Sequence, residues 1–270
     1  MNFSPELNSM TVKPEENLLA EVMAIGDEIV TGHRLDTNSQ WICQALGDLG
    51  ISVRFLSAVG DDLTDHIQSI RQALQRIDLI VMTGGLGPTA DDLTREAIAR
   101  AIGVELELSD SELLKIKRVF ERAGRPMPPR NSAQAWFPVG SIPIPNPEGT
   151  APGIDILVPR EGKKPRRIIA LPGVPAEMKQ MWSTTVETRL REWTESSFVF
   201  RHHTLHCFGA GESAIEEMLP NLIERGRDPS VGITASQATI SLRVATRAAS
   251  VEDCHKKMEP IVQLIRSTLG

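Results

Sequence analysis

The 270-residue sequence predicts an α/β fold: a three-layer α/β/α domain on a mostly parallel sheet, followed by a small α+β domain. Three observations carry that prediction. From Leu18 to Gly103, short apolar runs alternate with amphipathic segments in the order β-α-β-α-β-α, with short connections. Such an order calls for parallel strands joined by right-handed crossovers, with helices on both faces. Second, each of the three strands ends in glycine and acid: Gly26-Asp27-Glu28, Gly60-Asp61-Asp62, and a glycine loop leading to Asp91 and Asp92. Third, from about Ser196 the pattern changes to β-α-β-β-α, a smaller unit of a different class.

The first strand is read at Leu18 to Ile25. A loop from Gly32 to Asn38 follows, and Asp36, Thr37, Asn38 and Ser39 are all good N-caps. The next helix places Ile42, Ala45, Leu46 and Leu49 on one face and stops at Gly50, a natural C′ residue. Ile51 to Ser57 is the second strand, and the helix after it repeats Leu63, Ile67, Ile70 and Leu74. The third strand starts at Ile77 and is apolar throughout, as expected of a strand buried on both faces. Asp91 and Asp92 are then read as opening a helix that carries Leu93, Ala97, Ile98 and Ala101 to a stop at Gly103.

Val104 to Leu108 alternates, and Asp110 to Ala123 reads as a helix. Gly124 to Gly153 is rich in Pro and Gly and has no clear period, a pattern that marks functional or disordered chain. It is read as functional, because it is neither highly charged nor of low complexity. Ile154 to Val158 and Arg166 to Leu171 form a hairpin, and Pro175 fits the first turn of a helix carrying Met178, Met181, Trp182, Val186 and Leu190. In the second domain the strands are His202 to Phe208, Val231 to Thr234 and Thr239 to Thr246, and the helices are Gly211 to Glu224 and Ser250 to Leu269. The boundaries implied are a flexible tail over residues 1–17, a first domain over 18–195 and a second over 196–270.

Composition narrows the function. A net charge of −6 argues against broad nucleic-acid binding, which runs on excess Lys and Arg. Cys43, Cys207 and Cys254 are far apart and form no CxxC pair, so they read as reduced thiols. No apolar run reaches the length of a membrane span, and the polar start has no signal-peptide order. The expected location is cytoplasmic. Alternation puts His202 and His206 on one strand face and His203 on the other, with no partner cluster nearby, which argues against a metal site there. A KH-type RNA module also mixes short strands and helices, but its GXXG loop is absent, and RNA binding is not expected.

The chemistry concentrates at one sheet edge. Gly84, Gly85 and Gly87 strip the loop of side chains, so that backbone N–H groups can approach an anion closely. Asp91 and Asp92 would repel that anion unless a divalent cation lay between them. In a parallel sheet, ligands bind outside the carboxyl ends of the strands. That edge also receives Gly26, Asp27, Glu28 and Asp61. The simpler alternative is a turn with an aspartate cap. In the Pro/Gly-rich stretch, Arg125, Arg130 and Asn131 could meet phosphates.

Taken in order, Ala24 to Glu28, Asp36 to Ser39, Val59 to Asp62, Thr83 to Glu96, Asn146 to Gly153 and Leu171 to Met178 resemble the N-terminal part of the CinA (competence/damage-inducible) family. The resemblance runs from about Leu18 to Leu269. The first domain is similar to the molybdopterin-binding domain of molybdenum-cofactor proteins of the MoaB, MogA and MoeA type. There a glycine loop and two acids line a nucleotide–pterin site, and the corresponding acids here are Asp61 and Asp92.

What the resemblance implies is a metal-dependent ADP-ribose pyrophosphatase that yields AMP and ribose 5-phosphate. Asp92, Asp61, Glu28 and Asp91 would be catalytic, with Asp92, Asp61 and Asp27 holding Mg, Mn or Co. Gly84, Gly85, Gly87, Thr89, Gly26, Asn38, Arg130, Asn131, Gly149, Thr150 and Gly173 would bind substrate. Glu28 and Asp91 are alternative general bases. A homodimer and a small-molecule nucleotide partner are also implied, without nucleic acid or membrane. Full-length relatives add a nicotinamide-mononucleotide deamidase domain with a Glu-Ser-Cys-Thr-Gly-Gly motif. That motif is absent here, so no deamidase activity is expected of this chain, whether it is truncated or a short form. Relatives usually carry basic residues after the Asn at 131, where this sequence has Ser132 and Ala133. The alternatives are a molybdopterin- or nucleotide-binding role and a non-catalytic oligomerising module.

Overall fold

The computed structural model describes residues 18–194, 199–219, 222–224, 226–236 and 239–270. The tail expected over residues 1–17 lies outside the described residues.

The first domain is built on a six-stranded sheet in the order β2-β1-β3-β8-β7-β6. Its strands are β1 (Leu19–Ile25), β2 (Ser52–Val59), β3 (Leu79–Thr83), β6 (Ile142–Ile144), β7 (Gly153–Val158) and β8 (Arg166–Leu171). β2, β1, β3 and β8 run parallel, whereas β7 and β6 are antiparallel to their neighbours. The expected hairpin is the β7–β8 pair. Register then does the work that matters for function. Ile25 pairs with Val59, Ala24 with Thr83, and Thr83 with Leu171, so four strands end in one row. The loops leaving that row therefore meet.

Every residue of β3 is buried, and in β1 every residue after Leu19 is. Successive side chains alternate between two cores, as the period of a strand demands. Met23, Ile80 and Met82 face α3 (Leu63–Arg76) and α4 (Thr94–Ile102). Val22, Leu79 and Val81 face Ile42 and Leu46 of α2 (Thr37–Asp48) and Met178 and Met181 of α6 (Pro175–Met181). α6 passes through a π-type turn at Trp182–Val186 into α7 (Glu187–Thr194), so the single helix expected there is interrupted. Three carboxylates of the domain are buried among the described residues, and all are paired; Glu112 accepts Lys115 at 2.6 Å. Glu21 accepts Arg76 and the Ser57 hydroxyl, while Asp155 accepts Arg167 through both oxygens and Arg189 through one.

Other local features correct or extend the expectations. α4 starts at Thr94 with Leu93 as its N-cap, so Asp91 and Asp92 precede it in a turn. The reason is that Asp92 bends back onto the glycine loop, where its carboxylate is used. After β1, Asp27 and Glu28 open a one-turn helix, α1 (Asp27–Val30), to which the sequence reading assigned no element. The Pro/Gly-rich stretch holds ordered pieces: a 3-10 helix at Pro129–Ala135, β5 (Trp136–Pro138) and β6. β5 pairs with β4 (Leu106–Leu108), which follows α4 and precedes α5 (Asp110–Arg122).

The second domain has its own core and a three-stranded sheet in the order β10-β11-β9. Its elements are β9 (Val199–Phe208), α8 (Glu212–Met218), β10 (Ser230–Ser236), β11 (Thr239–Ala248) and α9 (Val251–Leu269). α8 ends at Met218, short of the expected Glu224. Pro220 accounts for this, because the residue before a proline is disfavoured in helical conformation and proline itself lacks the N–H. Among the described residues, no helix is long and apolar enough to cross a membrane.

Candidate active site

The glycine loop after β3 is held from within. Gly84 donates its N–H to Leu171 O at 3.0 Å, and its carbonyl accepts the Thr94 hydroxyl at 2.9 Å. Gly84 and Gly85 have φ of 108° and 65°, and a Cβ on Gly84 would collide with the Ile25 carbonyl oxygen. Leu86 O accepts the buried Arg95 guanidinium at 2.8 Å, and Arg95 also reaches Pro152 O at 3.3 Å. Burial lowers the Arg95 pKa to about 10, with the negative charge of Asp92 opposing that shift. It remains a cation at neutral pH. These contacts hold the loop carbonyls against the protein. The N–H groups of Gly85 and Leu86 meet no acceptor among the described residues.

Asp92 closes the loop. Its Oδ1 accepts the Gly87 N–H at 2.7 Å, and its Oδ2 accepts the Thr89 N–H at 2.8 Å together with the Thr89 hydroxyl. Gly87 is therefore a closure point, and its N–H is already used. Asp91 lines the same pocket and is exposed. The Thr89 hydroxyl and its own backbone N–H hold its carboxyl below the ordinary value.

A pocket of about 490 Å³ opens against this loop, and Glu28, Asp61, Asp91 and Asp92 all line it. Gly26, Gly84, Gly85, Gly87, Thr150 and Gly173 line it as well. The structure thus brings together the acids of three loops, as the shared strand ends require. Asp27 lies beside them and pairs with Asp61 through backbone N–H groups. Asn38 sits in an adjoining recess, donating to Thr83 Oγ1 at 3.1 Å and to Gly173 O at 2.9 Å.

Other expected residues lie elsewhere. Arg130 and Thr89 line a second pocket on the far side of the loop. Asn131 is buried and donates to Gln134 Oε1 at 3.1 Å, and it is Gln134 that faces the acid pocket. Gly149 lines a separate groove, and the space its Cβ would need is taken by the Glu177 carboxylate. The three strand histidines do not come together. His206 meets Ser241 Oγ at 2.9 Å, and His202 lies 3.5 Å from Asp48. Burial and then Arg243 lower the His202 pKa.

Among the charged lining residues, Glu177 and Arg34 escaped the sequence reading. Glu177, on α6, enters the pocket and accepts Asn146 Nδ2 at 2.6 Å; Asn146 in turn accepts the Gly149 N–H at 2.9 Å. Arg34 supplies a cation at the rim. The available signal was the turn Leu171 to Pro175, whose strand had not been placed next to β3.

Among the described residues, no three His, Cys, Asp or Glu side chains are grouped closely enough to form a metal cage.

Residues 21–192 match the family described as "Probable molybdopterin binding domain", and residues 202–270 match "Damage-inducible protein CinA KH domain". The second match gives the small domain KH kinship, although the loop between β9 and α8, Gly209-Ala210-Gly211, has no GXXG. A competence-damage inducible protein of Clostridium novyi is 39% identical over 251 residues, covering 93% of this chain and 59% of its own length. One from Clostridioides difficile is 35% identical, with 93% and 58% covered. The chain thus spans less than two thirds of the length of these relatives. The crystal structure of the protein CinA from Thermoplasma acidophilum is similar at a TM-score of 0.57 and 36% identity, over 63% of this chain and 97% of that one. The chain belongs to the CinA family, with a molybdopterin-binding-like domain followed by a CinA KH domain.

Proposed function

We propose that this chain hydrolyses the pyrophosphate of ADP-ribose, or of a related ADP-linked dinucleotide, to AMP and a sugar phosphate. One observation carries the reading: Gly85 and Leu86, whose N–H groups are uncommitted among the described residues, line the same pocket as Glu28, Asp61 and Asp91. Donors suit phosphate oxygens, and carboxylates suit a cation and a proton.

The donor set fits a hard divalent ion of the Mg type. Such an ion binds through one or two carboxylates, with water and substrate phosphate completing its shell, and needs no all-protein cage. Asp61 and Asp92 would hold it, with Asp27 fixing the Asp61 loop. When bound, the ion neutralises charge on the phosphoryl oxygens. The Gly85 and Leu86 N–H groups orient one phosphate. Water attacks phosphorus, the P–O bond to the bridging oxygen breaks, and Glu28 takes the proton. Asp91, which lines the same pocket, is the alternative proton acceptor.

The test is to incubate the protein with ADP-ribose and Mg²⁺, Mn²⁺ or Co²⁺ and measure AMP. Asp92→Asn should lose at least ~100-fold in rate, since it leaves one loop N–H facing an amide donor. No turnover with any of the three metals, or full turnover by Asp92→Asn, sinks the proposal. The match to a molybdopterin-binding domain favours a second reading, in which the pocket holds a pterin without cleaving anything. Calorimetry with molybdopterin tests it, and absence of a heat signal removes it. We also propose a dimer of this chain, which light scattering tests.

A further inference from the structure

The glycine loop has a pocket on each side. Beyond Gly87 and Pro88 lies a second one of about 620 Å³, and Gly87, Pro88 and Asp92 belong to both walls. Trp136 and Arg130 line this second pocket. Trp136 is 41% exposed. Among the described residues its ring meets no other aromatic and no cation, and Arg130 has no ion pair. Both are held on ordered chain. Trp136 is paired across to Leu108 in the β4–β5 ladder, and Arg130 lies in the 3-10 helix that starts at Pro129. Arg95 also lines the pocket, and its buried Nε has no partner among the described residues.

A free aromatic face is suited to stacking on a nucleobase, which offers a flat π surface whatever its identity. The Arg130 guanidinium, which lines the same pocket, supplies a second planar group and donors for ring nitrogens or phosphate. The acid pocket has the opposite character, because carboxylates suit a cation and a reacting pyrophosphate and not a base. We propose that Trp136 and Arg130 form the nucleobase subsite for an ADP-linked ligand that lies across Gly87–Pro88, its sugar-phosphate half in the acid pocket. The inference rests on the dinucleotide reading of the site and specifies which half goes where.

The experiment is calorimetric titration of the full chain with AMP, and separately with ribose 5-phosphate, for wild type, Trp136→Ala and Trp136→Phe. AMP should bind about ten-fold more weakly to Trp136→Ala, and Trp136→Phe should keep most of the affinity. Ribose 5-phosphate should bind all three alike, which also shows that the variants are folded. Equal AMP affinity in wild type and Trp136→Ala, equal loss of both ligands, or no AMP binding by wild type overturns the inference. ADP-ribose turnover is measured in parallel. Turnover with Trp136-independent AMP binding defeats this inference alone, and Trp136-dependent AMP binding without turnover defeats only the hydrolase.

Discussion

Asp27 and Asp61, 34 residues apart, hold each other's backbone. The Asp27 N–H donates to Asp61 Oδ2 and the Asp61 N–H donates to Asp27 Oδ1, each at 3.0 Å. The exchange ties the loop after β1 to the loop after β2 and sets Glu28 beside the glycine loop. Asp27→Ala removes the acceptor of the Asp61 N–H and leaves the bond from the residue-27 N–H to Asp61 Oδ2 in place. The expected cost is about 1 kcal/mol, because the lost bond is solvent-exposed. A urea midpoint identical to wild type would show that the pair does not stabilise the fold.

Gly84 and Gly124 separate two reasons for glycine. Both have positive φ, at 108° and 64°. At Gly84 a methyl would also strike the Ile25 carbonyl oxygen, whereas at Gly124 it would meet open space. Gly124→Ala should cost about 1 kcal/mol. Gly84→Ala should cost about 2–4 kcal/mol, because strain and a clash with backbone add. Equal shifts in thermal midpoint for the two variants would refute the close-approach argument.

Asp155 is the keystone of a buried charge cluster. It is 3% exposed and accepts Arg167 Nε at 2.8 Å, Arg167 Nη2 at 2.7 Å and Arg189 Nη1 at 3.0 Å. Removing it leaves the 7%-exposed Arg167 without its counter-charge. Asp155→Ala should destabilise the first domain by about 3–5 kcal/mol. A loss below about 1 kcal/mol in urea unfolding would mean that water or another carboxylate replaces it.

The second domain should respond to acid through Asp228. Burial raises its pKa, but hydrogen bonds from the Thr246 hydroxyl and Lys257, with the charges of Lys257 and Arg247, outweigh burial and leave it below the ordinary value. A carboxyl with a depressed folded-state pKa adds stability that is present above its unfolded value. That stability disappears as pH falls through the folded one. Unfolding of the small domain followed from about pH 6 to about pH 3 should show this loss below about pH 4. Asp228→Asn should flatten that part of the profile, and an unchanged acid limb would refute it.

Legibility differed between fold and site. β1, β3, α2 and α9 could be read because their apolar periods are clean and their caps explicit; Asp36 does accept the Ser39 N–H, and Ser250 the Asp253 N–H. The Asp91–Asp92 reading erred on position, since good N-cap residues can serve a loop as well as a helix. Asn131 looked like a phosphate ligand, but its role depends on Gln134 turning towards it. Glu177 was hidden because its strand, β8, is 88 residues after β3 in sequence and adjacent in the sheet.

The sequence by itself determined the two domains' classes, the acid-ended strands and the family, because these follow from local periodicity, turn chemistry and ordered motifs. Tertiary structure alone decided which acids share a pocket, which loop N–H groups stay uncommitted, and that Trp136 stands free across the loop from them. Those properties depend on sheet order and register, which bring distant strand ends into one row. No local pattern specifies neighbours that the chain reaches only by folding.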